Sequence, residues 1–345
     1  MDYYAGIDVS LEQSSLCVVD AAGKIIREAK VASEPDALIE WFAAREVPAV
    51  RIGLEAGPLS QWLFAAMRKA GLAVELLETR HVRAAFKTMP VKTDRKDARG
   101  IAELMRLGWF RPVHCKSMSA QETRAVLTTR RLIEAKQRDI ELSLRGILRG
   151  FGLKVGKTTP TTFAERIKQL VSGHGSLEVI AASLLAVREI LLREFRAYEK
   201  RARIIARHDE RTRLLMTTTG IGPIISLTYV AGMDDPARFQ QSKTVGAHYG
   251  MTPKKYQSGE TEYTGRISKI GDKSVRTALY QAAHIILTRP VKGSKLKSWG
   301  LKLVKRVGME KAKVAVARKL AVIMHRMLVE GKPFDPQLPR QAVAA

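Results

Sequence analysis

An apolar run that ends on a carboxylate leaves a chain few ways to fold, and this chain has two of them. YYAGIDVS closes on Asp8 and AVRIGLEA on Glu55. Each run reads as a buried strand with an acid at its end. An unpaired buried carboxylate is costly, so both acids need solvent or a cationic partner. KTDRKDA carries Asp94 and Asp97 three apart in a stretch that reads as helix, so both project from one helical face. Carboxylates at two strand ends and on one helix face can converge on one spot, and four of them repel unless divalent cations stand between. Such an oxygen-rich site suits Mg²⁺ or Mn²⁺, and a pair of ions about 4 Å apart is a common apparatus of phosphodiester chemistry. Each acid also has an ordinary reading. Asp8 can cap a turn, and Asp94 and Asp97 can form surface pairs with Lys92, Arg95, Lys96 and Arg99.

The chain has 345 residues, room for two or three domains, and a net charge of +25. That charge is unevenly placed. Residues 1–112 hold 16 Lys/Arg and 15 Asp/Glu, and residues 113–345 hold the other 43 and 19. The acids therefore sit in a neutral module, and the strongly basic remainder attracts a polyanion, DNA or RNA, with salt-dependent binding. Two cysteines, Cys17 and Cys115, exclude a disulfide framework and a cysteine-rich zinc site. There is no basic-then-apolar leader, and no apolar run approaches the roughly 18 residues that span a bilayer. The expectation is a soluble cytoplasmic protein.

Residues 3–31 read as three strands of a meander. Ser33 follows as a helix N-cap with Pro35 in the first turn of a helix to about Arg45. Then come the strand AVRIGLEA, a helix from about 59 to 69, the strand LAVELLE, and helices near 80 and over 94–107. Three antiparallel strands followed by alternating helix and strand is the order of a ribonuclease-H-like α/β domain, here residues 1–112. From about 119 the pattern changes. Val126, Ile133, Ile140 and Ile147 recur every seven residues, and Leu177, Ile180, Leu184, Val187, Leu191, Phe195, Tyr198, Ala202 and Ile205 step by three and four. This predicts a helical coiled-coil-like arm over 113–208, its limbs separated at GKTTPTT.

A third region, 209–345, is mainly α. TTTGIGPIISL places a glycine turn before an apolar helix, either a phosphate-presenting hairpin of helices or a tight helix connection. Between 291 and 326 eleven Lys/Arg face only Glu310. Lys302, Lys305, Arg306, Lys311 and Lys313 are candidate phosphate contacts there, and Lys254, Lys255, Arg266 and Lys269 further upstream. The closing KPFDPQLPRQAVAA reads as a loosely held tail.

GIDVS, LEAG and KTDRKDA, followed in order by GIGP, FQQSKTVGAHYGMTP, YQSG and GRISKIGD, resemble the DEDD-type insertion-sequence transposases of the family numbered one hundred and ten. The resemblance spans essentially the whole chain. It implies a RuvC-like (ribonuclease H) amino-terminal domain, a helical arm and a separate carboxy-terminal transposase domain. The implied activity is a mobile element's recombinase that cuts and rejoins DNA. Asp8, Glu55, Asp94 and Asp97 would hold one or two Mg²⁺, with Mn²⁺ able to substitute. It further implies that Ser258, in TPKKYQSGE, attacks DNA as a nucleophile, activated by a metal-laden carboxylate site, with Gly259 clearing room for the strand. Read on its residues alone, Ser258 is more readily a turn serine in an SG loop, and it is the resemblance that reverses this. Ser268 is the alternative nucleophile, and Ser242 reads as a helix cap. The family's guide RNA, pairing with donor and target DNA, is implied as a partner, as are a homodimer or tetramer and a place at the bacterial nucleoid. Two other readings stay open: a hydrolytic junction-resolving nuclease with water as nucleophile, and a non-enzymatic nucleic-acid-binding protein.

Overall fold

The computed structural model describes residues 2–44, 48–87 and 92–337. The chain divides after Lys116 into two compact units.

The first unit opens with β1 (Tyr3–Asp8), β2 (Gln13–Asp20) and β3 (Ile25–Ala32). It continues through α1 (Pro35–Ala43), β4 (Ala49–Glu55), α2 (Ser60–Lys69), β5 (Val74–Leu77), α3 (Thr79–Phe86) and α4 (Asp94–Leu107). Among the described residues these strands form one sheet in the order β3-β2-β1-β4-β5. The meander is antiparallel, β4 runs parallel to β1, and β5 runs parallel to β4. This is the ribonuclease-H-like arrangement that the order of elements predicts.

Alternation assigns the faces of the sheet. Ala5, Ile7, Ile52 and Leu54 pack with Leu38, Phe42, Leu63 and Met67 of α1 and α2. The other face takes α4, and there β1 and β4 place Gly6 beside Gly53 in register. A Cβ on Gly6 would lie 2.1 Å from the Ala98 carbonyl oxygen, and one on Gly53 2.8 Å from the Met105 side chain. These two glycines make a trough in which α4 lies directly on the strands, burying Ala98, Ile101, Ala102 and Met105. Side chains two apart on a strand share a face, so Asp8 and Glu55 emerge on the α4 side at the strand ends.

Ser33 is not the cap of α1. Glu34 stands at that position without a side-chain cap, because the Ser33 hydroxyl turns inward, 2.8 Å from Ser14 Oγ and 2.8 Å from the Ser10 carbonyl. Arg45, the expected helix end, lies outside the described residues.

The second unit begins with α5 (Met118–Gly150), α6 (Phe163–Val171) and α7 (Gly175–His208). The two long helices run antiparallel. Leu144 and Leu148 near the end of α5 meet Leu177 and Ala181 near the start of α7, and Leu127 meets Ala202 and Ala206. The expected stripe on α7 shifts by one residue midway. Val187 is 45 % exposed and Ile180 41 %, whereas Arg188 is buried. The inward place suits Arg188 because its guanidinium is fully engaged, donating to Glu141 at 2.7 Å and the Pro160 carbonyl at 2.9 Å and lying over the Phe163 ring.

The rest of this unit comprises α8 (Glu210–Met216), α9 (Pro223–Met233), α10 (Val245–His248), β6 (Pro253–Ser258), β7 (Thr261–Ile267), α11 (Lys273–Thr288), α12 (Lys295–Val307) and α13 (Met309–Glu330). α9 is buried from Ile225 to Met233 and shares one core with α11, α12 and α13. Pro223 in its first turn fits the missing N–H of a helix start. The segment expected as a loose tail is held in its described part: Phe334 N–H donates to Thr217 Oγ1 at 2.9 Å, and the Pro336 carbonyl accepts from Lys295 N–H at 2.9 Å.

Candidate active site and nucleic-acid interface

The four acids of the first unit lie within electrostatic reach of one another. The Asp8 carboxyl is pushed up from its ordinary 3.8 to about 6, first by burial and then by the charges of Asp97, Asp94 and Glu55. Glu55 is also raised, mainly by burial, against the pull of a hydrogen bond from Thr79 and the charges of Arg83 and Lys92. Asp94 is exposed and Asp97 half-buried. Both occupy the first turn of α4, whose start is capped by Thr93, and the positive end of the helix dipole favours carboxylates there. The surface-pair reading fits only part of this cluster. Lys92 Nζ stands 3.8 Å from Asp97 Oδ2, while Arg95 is taken by Glu28.

Three carboxylates near a carboxyl that resists ionisation make a set of hard oxygen donors that suits a divalent cation. They are gathered but not closed: among the described residues no three His, Cys, Asp or Glu side chains come near enough together to hold a metal ion. Thr79 and Arg83 are parts of this site that motif reading missed. The sequence carries a signal for the placement of the acids: glycine stands two residues before each strand-end acid, in G-I-D and G-L-E.

Ser258 lies at the end of β6, at the tip of a two-stranded hairpin. It pairs with Thr261 across the turn at Gly259 and Glu260, and it is exposed. Gly259 has φ +56 with nothing near its Cβ position. The hairpin's base is fixed by backbone: Ser268 N–H donates to the Thr252 carbonyl and Lys269 N–H to that of Gly250. A Cβ on Gly250 would lie 2.2 Å from the Ile270 carbonyl oxygen, so YGMTP and SKIGD touch main chain to main chain. Ser268 is half-buried at that base, away from the tip. Ser242 is not a side-chain cap; it opens a single 3₁₀ turn, and its hydroxyl lies 2.9 Å from His325 Nδ1.

A groove of about 1840 Å³ runs between the hairpin's base and helices α12 and α13. Of the predicted cations, Arg266, Lys269, Lys302 and Lys311 line it, and Lys254, Lys255, Lys305, Arg306 and Lys313 do not. Lys255 pairs with Glu262 at 3.0 Å. Lys313 is largely covered, donates to the exposed Glu310 at 2.8 Å and lies over the Tyr280 ring, so its charge is already paired. The groove adds Lys243, Lys295, Arg318, Lys319 and Arg326, with Lys319 Nζ 4.4 Å from the centre of the Trp299 ring. Lys311, Arg318 and Arg326 mark one stripe of α13, a spacing visible in the sequence. The glycine turn before α9 is packed rather than presented: a Cβ on Gly220 would meet Ile286 at 3.0 Å. No described helix is long and apolar enough to cross a membrane.

A DEDD-type transposase family model matches residues 5–152, and a model described as "Transposase IS116/IS110/IS902 family" matches residues 212–296. The transposase for insertion sequence element IS1111A of Coxiella burnetii is 28 % identical over 335 residues, 95 % of this chain and 90 % of that protein. The chain belongs to the IS110-type transposases. Members of this family are enzymes that cut and rejoin DNA, and DEDD nucleases and transposases use divalent metal ions. A transposase for element IS1328 of Yersinia enterocolitica is 25 % identical over 272 residues, covering 77 % of this chain and 79 % of that one. Among solved structures, T. thermophilus RuvC in complex with a Holliday junction substrate aligns with 33 % of this chain and 100 % of that chain, at 16 % identity and a TM-score of 0.25.

Proposed function

We propose that this transposase moves an insertion sequence by a covalent route, with Ser258 as the nucleophile on DNA and Asp8, Glu55, Asp94 and Asp97 as the holders of one or two Mg²⁺. The observation that carries the metal reading is Asp8, a carboxyl kept protonated to about pH 6 by burial and three neighbouring acids. A divalent cation there would relieve the repulsion that the neighbouring acids add to burial. Bound there, the cation would supply Lewis-acid stabilisation of charge on the phosphate oxygens. Ser258 supports the second half by its position, exposed at a hairpin tip where a DNA backbone can approach. In the step itself the Ser258 Oγ–P bond forms as the P–O bond to one DNA strand breaks. The serine proton leaves, and the departing strand oxygen gains one. The resulting ester keeps the bond energy for rejoining, which attack by water would lose.

The basic groove is the proposed phosphate-holding surface, and its charge suits RNA as well as DNA. With no zinc finger or recognition-helix signature in the chain, sequence choice by base pairing to a guide RNA is the reading that fits best. The protein would work as a dimer or tetramer, because recombination requires several strand exchanges in one complex.

The test is an adduct assay: the protein is mixed with labelled DNA and Mg²⁺, quenched in detergent, and examined for a protein band shifted by covalent DNA. Wild type and Ser268→Ala should give the band, and Ser258→Ala should bind DNA yet give none. A band from Ser258→Ala, or its loss in Ser268→Ala alone, places the nucleophile elsewhere. Metal-dependent nicking without any adduct would favour the hydrolytic alternative. Sequencing the nucleic acid that purifies with the protein tests the guide RNA.

A further inference from the structure

The β6–β7 hairpin carries more than a serine. Its register sets Tyr256 opposite Tyr263 and Ser258 opposite Thr261. Residues directly opposite share a face, as do residues two apart on a strand, so all four side chains point the same way. The two tyrosine rings are stacked, with centroids 4.9 Å apart and planes within 6°. They remain 51 % and 56 % exposed. No core lies beneath β6, which is exposed at every position. Lys254, two residues further back, continues the same face. Beside Tyr263 stands Gly265, whose Cβ position has Tyr263 Cε2 at 3.7 Å and Lys254 Cβ at 3.9 Å, so Gly265 adds no side chain of its own there and Lys254 lies next to the ring. On the other face Lys255 is neutralised by Glu262.

We infer that Tyr256 and Tyr263 form a stacking platform for an unpaired nucleobase of the DNA strand that Ser258 attacks. This rests on the reading of Ser258 as the nucleophile. A parallel aromatic pair on a solvent-facing ribbon offers a base a π-surface that extends the stack already present, and every base has such a face. The platform is therefore tolerant of sequence, in keeping with a protein whose sequence choice is made elsewhere. Two residues of strand separate ring and hydroxyl, roughly 7 Å, the length of about one nucleotide. A base held on the rings would thus present its neighbouring phosphate to Ser258, with Lys254 at hand for the next one. DNA rather than RNA is the occupant because the platform shares its face with the group that attacks DNA.

A purely structural role, cross-strand packing that keeps the hairpin closed, makes a different prediction. In the full-length protein, Tyr256→Val with Tyr263→Val keeps strand-favouring residues at both positions but removes the rings. Tyr256→Phe with Tyr263→Phe keeps the rings. The probe is a fluorescein-labelled single-stranded DNA oligonucleotide carrying 5-iodouracil, read by anisotropy and, after irradiation, by mapping the cross-linked peptide.

The platform predicts binding weakened roughly tenfold or more in the Val pair, near-wild-type binding in the Phe pair, and cross-links at Tyr256 or Tyr263. Unchanged affinity in the Val pair, equal loss in both pairs, cross-links that avoid the hairpin, or cross-linking to an RNA oligonucleotide alone would each overturn it. Ser258→Ala separates this from the nucleophile reading: it should keep the affinity and the cross-link while losing the covalent adduct. An adduct that survives Ser258→Ala sinks the nucleophile and, with it, the reason for assigning the platform to the attacked strand.

Discussion

Replacing Asp8 by Asn should stabilise the cation-free protein, a reversal of what most substitutions near a core do. In the folded chain Asp8 keeps its proton to about pH 6, against 3.8 for an ordinary aspartate. Folding therefore favours the protonated form. The contribution is fully present below about pH 4, is lost as pH rises through 6, and leaves the ionised protein destabilised above that. The difference corresponds to about 3 kcal/mol, and solvent screening of a partly exposed group reduces it to about 1.5 kcal/mol. For a chain of 345 residues that is roughly 2 °C in Tm. Differential scanning calorimetry in EDTA should show Asp8→Asn melting higher than wild type by that amount at pH 8, with the gap closing towards pH 4. Millimolar Mg²⁺ should raise the wild type and narrow the gap at pH 8. If the two proteins melt together at pH 8 in EDTA, the acids are not coupled and the metal-site argument fails.

The groove lysines should act through phosphates: Lys302→Gln with Lys311→Gln should weaken all nucleic-acid sequences alike and flatten the salt dependence by roughly one unit of slope per contact, whereas Lys313→Gln should leave the slope unchanged. Salt titrations of binding read both. Gly6→Ala forces its new methyl against the Ala98 carbonyl and should lift α4, lowering Tm by roughly 2 to 4 °C and reducing Mn²⁺ affinity measured by calorimetry; wild-type values for both would refute the trough. Arg188→Ala leaves Glu141 without its buried partner and should cost about 2 kcal/mol, roughly 3 °C by thermal denaturation, with no effect on the pH dependence ascribed to Asp8.

Much of the first unit was legible in the sequence because its signals are local. Apolar runs of strand length, the turn at Ala21 and Ala22, and Pro35 at a helix start fall where the structure has them. Ser33 misled because a serine before a proline looks like a cap, while its hydroxyl found a better partner across the sheet in Ser14. The seating of α4 was not legible from the acids alone, since it depends on two strands bringing Gly6 and Gly53 side by side. On the arm, periodicity located both helices but misplaced the inward stripe at Val187. An arginine can take a buried position when another helix and a loop carbonyl satisfy it, and no single-helix pattern shows that. The basic end was legible as charge and not as geometry: Lys313 turned inward to Glu310, while Arg318 and Arg326 joined the groove.

The hairpin that carries Ser258 contributes almost nothing to the core, and an element with so little buried surface can open at small free-energy cost while the rest stays folded. On the proposal that Ser258 is the nucleophile, cutting should have a temperature ceiling of its own, lower than that of the protein. Warming would disarm the enzyme reversibly before it denatured it.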